Sequence, residues 1–122
     1  MHGGFTLIEM LIVMAVIALL LSITVPRYFG QVDKAKELVL RQDLTQLRDA
    51  IDKYFGDLGH YPDSLTDLVE KKYIRKVPVD PVTERADSWI IVPPEKKELG
   101  SVFDIKSGAK GPARDGSDYA TW

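Results

Sequence analysis

The chain has 122 residues, with 16 Lys and Arg against 18 Asp and Glu, for a net charge of −2. That length suits one small domain, and the charge excludes the basic surface that nucleic-acid binding needs for counterion release. With no cysteine and only His2 and His60, the sequence also excludes a disulfide framework, a thiolate site and a histidine metal cluster.

The average composition hides a sharp asymmetry. Every Lys and Arg lies after Pro26, and Glu9 is the only acidic residue before it. From Phe5 to Val25 the chain reads FTLIEMLIVMAVIALLLSITV, and about 20 apolar residues are enough for a helix to cross a bilayer. Glu9 interrupts this run near its start. An ionisable residue in a membrane helix is costly and is a functional candidate for that reason. Three readings compete. A secretory signal peptide wants a basic start and a small-x-small cleavage site after the apolar run. Met1-His2-Gly3-Gly4 carries no Lys or Arg, and Val25-Pro26-Arg27 fits such a site poorly. A plain anchor would leave Glu9 to snorkel toward the interface. The third reading is a processing signal of another kind.

Gly4-Phe5-Thr6-Leu7-Ile8-Glu9, followed at once by the apolar run, resembles the processing site of type IV pilins and type II secretion pseudopilins. The resemblance reaches Pro26, where these proteins commonly carry a helix-kinking proline. It implies that a prepilin peptidase cuts between Gly4 and Phe5 and methylates the new N-terminal Phe5. Glu9 then becomes the fifth residue of the mature chain. Physical chemistry agrees with this. A buried carboxylate needs a partner, and the freed amine of a neighbouring copy can supply one. The leader lacks the Lys or Arg usual in the family, which hold the N-terminus in the cytoplasm.

Pro26 and Gly30 both weaken a helix, so a kink or local unwinding is expected around residues 22–30. A second helix is expected from about Gln31 to Phe55, nearly continuous with the first. Leu40, Leu44, Leu47, Ile51, Tyr54 and Leu58 recur at steps of four and three, which is one apolar stripe. Glu37, Arg41, Arg48 and other charged residues belong to its wet faces. Gly56 to Pro62 is rich in turn formers. A short helix should start at Asp63 or Ser64 and run to about Lys71, with Ser64 and Asp67 as a weak capping box. Lys76 to Pro81 reads as extended chain, because each proline disfavours helix before it. Ser88 to Val92 and Ser101 to Lys106 read as two strands of a small antiparallel sheet. Ser107 to Trp122 reads as an ordered Gly/Asp-rich loop with an aromatic end. The fold class is α+β.

Tyr61-Pro62-x-x-Leu65-x-x-Leu68, Pro78-x-Asp80-Pro81, the Trp/Ile strand, Phe103-Asp104, Ser107-Gly108-Ala109 and Trp122 together resemble the major, G-type pseudopilins of type II secretion. The resemblance implies a type IV pilin-like fold in three parts. Residues 1–4 are a leader, 5–30 a transmembrane and polymerisation helix kinked at Pro26, and 31–122 a periplasmic domain. It implies a structural subunit rather than an enzyme, anchored once in the inner membrane and assembled into a periplasmic filament that exports folded proteins. The implied partners are other copies of the chain, the prepilin peptidase, an inner-membrane assembly platform and minor pseudopilins. No catalytic constellation or phosphate-binding loop is visible in the sequence. Rival readings are a type IV pilus subunit, for adhesion, motility or DNA uptake, and a membrane-tethered binding module.

Two departures from the family matter. Val82-Thr83 stands where the family has Trp-Gly. Lys110 stands where the family has an Asp beside a calcium-binding loop. No cofactor is required by this reading. Calcium would need six to eight oxygens, of which Asp115, Ser117 and Asp118 supply some. The alternatives are a bridge from Lys110 to Asp115 or Asp118, or a solvated turn.

Overall fold

The computed structural model describes residues 4–122, with the backbone alone for residues 27–31. Both apolar and amphipathic stretches lie in one helix, α1 (Leu7–Leu58). Helix runs unbroken through Pro26, so of the kink or local unwinding expected around residues 22–30 the unwinding does not occur. Pro26 denies one N–H to the carbonyl of Ser22, but its fixed φ is itself helical. The Ser22 and Thr24 hydroxyls donate back to the carbonyls of Leu19 (2.7 Å) and Leu20 (3.0 Å). That satisfies two polar groups within the apolar helix.

The chain divides into two units, Met1–Lys34 and Ala35–Trp122. In the first, Leu7–Pro26 is a 20-residue helix long and apolar enough to cross a membrane, with none of it buried.

The second unit holds the core. Leu40, Leu44, Leu47, Ala50, Ile51 and Tyr54 are buried along one face of α1. Leu58 was expected in this stripe but is 42% exposed, at the last residue of α1 before Gly59 (φ +76°). Helix α2 (Leu65–Glu70) contributes Leu68, with Leu65 and Val69 packed at the margin. Its expected capping box is not formed. Ser64 makes no side-chain cap, and the Asp67 carboxylate instead accepts the Asp63 N–H at 2.9 Å.

Strands β1 (Ile90–Val92) and β2 (Asp104–Lys106) pair antiparallel, with Ile91 opposite Ile105. Both are shorter than expected. Ser88 and Trp89 leave the strand because their side chains are tied elsewhere. Trp89 Nε1 donates to the Pro78 carbonyl at 2.8 Å, and the Ser88 hydroxyl lies 2.6 Å from that of Thr83. Gly108 passes against the Ser88 carbonyl so closely that a Cβ there would collide with it. Ile105 carries β2 into the core, which also holds Val102 from the segment before it.

Asp80 organises the loop before β1. It is fully buried, and its Oδ1 accepts the N–H groups of Val82 (2.8 Å) and Thr83 (3.3 Å). Its Oδ2 accepts the Ser107 hydroxyl at 2.5 Å, and Ser107 in turn accepts the Ala109 N–H at 3.0 Å. A long helix packed on a small antiparallel sheet is the α+β, pilin-like arrangement that the sequence implied.

Candidate functional site

Gly4, Phe5 and Thr6 precede the helix and are exposed, so the Gly4–Phe5 bond lies in non-helical backbone. Thr6 closes the start of α1. Its Oγ1 accepts the Glu9 N–H and its carbonyl accepts the Met10 N–H, both at 3.2 Å. A helix start leaves its first N–H groups without partners, and in lipid each orphan is expensive. Thr6 thus caps the helix through its hydroxyl. The sequence reading used these residues for processing and missed their cap. The spacing that reveals it was present all along.

Glu9 lies in the first turn of α1, where the helix dipole favours an anion. Around it Phe5, Leu7 and Ile8 are 75%, 80% and 64% exposed. The structure therefore presents one carboxylate within an uncovered apolar surface. Glu9 stands four residues after Phe5, at the level of one helical turn. Pro26 closes the same apolar span. The expected leader residues before Gly4 lie outside the described residues.

The loop from Ser107 to Trp122 was the second candidate. Asp115 and Ser117 are brought together: Asp115 Oδ1 accepts both the N–H (2.9 Å) and the hydroxyl (2.6 Å) of Ser117. These bonds, more than the nearby Arg41, hold the Asp115 carboxyl below its usual range. Asp118 is placed elsewhere. It lines a recess with Lys110, Gly111 and Ala120, and its backbone bridges to Pro112. Among the described residues no three acidic or histidine side chains converge on one point.

The cation facing Asp115 is Arg41, at 3.6 Å, and among the described residues Lys110 pairs with neither Asp115 nor Asp118. Of the alternatives the sequence left open, the Lys110 bridge is not formed, and the ion pair to Asp115 comes from α1. Arg41 Cζ also lies 3.8 Å from the centroid of the Trp122 ring. Two other α1 side chains join it. Glu37 Oε1 accepts the Arg114 N–H and the Tyr119 hydroxyl, both at 2.9 Å. Arg48 donates to Asp104 Oδ1 (2.8 Å) and to the carbonyls of Ile105 (2.9 Å) and Trp122 (2.7 Å). Glu37, Arg41 and Arg48 follow at steps of four and seven, so they share one helix face. The sequence reading had assigned that face to water.

A family model described as the prokaryotic N-terminal methylation motif matches residues 1–25. The whole chain is similar to type II secretion system core protein G from several bacteria. It is 30% identical to that of Escherichia coli (strain K12), over 98% of this chain and 90% of the relative. It is 29% identical to the Klebsiella michiganensis protein, over 98% and 92%. It is 27% identical to the Pseudomonas aeruginosa protein, over 99% and 95%. No solved structure matches the chain. With the methylation motif at its start and similarity along nearly its full length, the chain belongs to the type II secretion system core protein G family.

Proposed function

We propose that the chain is a filament-forming structural subunit of type II secretion, made competent for assembly by removal of residues 1–4. The observation that carries this is Glu9, a lone carboxylate in the first turn of an uncovered 20-residue apolar helix. Before assembly, Leu7–Pro26 anchors the chain once in the inner membrane, with the second unit on the periplasmic side. A prepilin peptidase cuts the non-helical Gly4–Phe5 bond and methylates Phe5.

The chemistry then runs between copies. Cleavage creates an ammonium at Phe5, and the Glu9 carboxylate of an adjacent copy neutralises it. An ion pair removed from water is strongly favoured only when both partners are present, because either one alone is an unpaired charge in hydrocarbon. The pair therefore sets the register of one subunit on the next. Apolar helices that leave lipid for the filament centre exchange one apolar environment for another, so extraction exposes little apolar surface to water. An assembly platform and minor pseudopilins are the partners of this step. The role is structural, and the exported cargo is a folded protein.

Glu9→Val tests the reading. The variant should still be cleaved after Gly4, as judged by the mass of its N-terminus, yet fail to enter filaments in cells expressing the secretion system. Filaments built from the variant at normal yield would refute the pairing role.

A further inference from the structure

We propose that the loop from Ser107 to Trp122 closes on α1 without a metal ion, with the Arg41 guanidinium as its built-in cation. A loop of this composition can instead be closed by calcium, which takes six to eight oxygens at 2.3–2.6 Å. Here the side-chain oxygens of Asp115 and Ser117 are already committed. Asp115 Oδ1 accepts two hydrogen bonds from Ser117. The Ser117 hydroxyl, while donating to Asp115, also accepts the Trp122 indole N–H at 2.9 Å. Asp115 Oδ2 faces Arg41. A divalent ion at this carboxylate would sit beside a guanidinium and be repelled by it. Asp118, the other carboxylate of the loop, lines the separate recess that holds Lys110.

The closing forces come from α1. Arg41 stacks on Trp122 and faces Asp115, so one cation meets both the aromatic end and the acidic turn of the loop. Glu37 holds the Arg114 N–H and the Tyr119 hydroxyl, and Arg48 holds the Trp122 carbonyl. A carboxylate, a guanidinium and a second guanidinium thus meet a backbone donor, an aromatic face with an anion, and a carbonyl in turn.

The test uses the full chain in detergent micelles, with melting temperature and tryptic cleavage after Arg114 as readouts. The melting temperature of the wild type should agree within about 1 °C between chelator and about 10 mM calcium. Arg41→Met should lower it by about 3–6 °C and speed cleavage after Arg114 at least about threefold. A calcium-induced rise of more than about 3 °C in the wild type would overturn the proposal, as a millimolar calcium site predicts a rise of that size. Unchanged cleavage in Arg41→Met would overturn it too. If Arg41→Met does not fold, the comparison of wild type with and without calcium still decides.

Discussion

The Arg41 guanidinium carbon lies 3.8 Å from the centroid of the Trp122 ring. Arg41 belongs to α1 and Trp122 to the far end of the chain, so the contact closes the second unit around its helix. Arg48, two turns further along α1, reinforces it through the Trp122 carbonyl. The second unit therefore depends on Trp122 as well as on its apolar core.

Asp80 is the polar counterpart of that core. It is fully buried and accepts three hydrogen bonds through its carboxylate, one of them from Ser107. Asp80→Ala strands Ser107 and two backbone N–H groups, and should destabilise the unit by about 2–4 kcal/mol in urea unfolding. Ser107→Ala removes one partner and leaves the turn bonds, so it should cost about 1–2 kcal/mol.

Leu44 and Leu58 were both placed on one stripe by their spacing. Leu44 is 2% exposed and Leu58 is 42% exposed. Leu44→Ala should therefore destabilise by about 2–5 kcal/mol, and Leu58→Ala by under about 1 kcal/mol. Chemical denaturation of the two variants checks the difference.

Thr6 supplies the cap of α1, and the amide of Glu9 is its donor. Thr6→Ala should cost about 1 kcal/mol at the helix start. Faster hydrogen exchange at Glu9 and Met10 would report it, with the amides beyond the first turns unchanged. Thr6→Ser keeps the hydroxyl and should restore protection.

Two carboxyls give opposite pH signatures. Burial, and next the charge of Asp80, raise the Asp43 carboxyl above its ordinary 3.8. Its folded form thus prefers the proton. That contribution to stability is present below the unfolded value and is lost as pH rises through the folded one. Asp43→Asn should accordingly raise the melting temperature at neutral pH, with the advantage fading in acid. Asp115 is the reverse: Ser117 holds its carboxyl below 3.8, so its contribution is present above that value and lost as pH falls through the folded one. Asp115→Asn should lower the melting temperature at neutral pH and converge on the wild type in strong acid. Melting curves from neutral to acid pH separate the two.

Much of the fold was legible because it rests on periodicity. Leu40 to Tyr54 repeat at helical spacing, and the apolar run before them has the length of a membrane span. The two strands were located but drawn too long, because Trp89 has strand propensity yet turns its indole to Pro78. Glu37, Arg41 and Arg48 could not be read as a clasp, since their partners lie far along the chain and a charged helix face looks solvated in one dimension. Lys110 was one of the alternatives the sequence left open, for the same reason. It is close to Asp115 in sequence, whereas Arg41 is the cation that meets it in space. At the N-terminus the methylation motif, matched over residues 1–25, was readable because its information is local.

The mass of the mature N-terminus, measured on chain purified from native membranes, tests the central claim most directly. A polypeptide that begins with N-methylated Phe5 is the expected result, since the proposed pairing with Glu9 requires an amine at that position. A chain found in filaments with Met1 still attached would contradict the account.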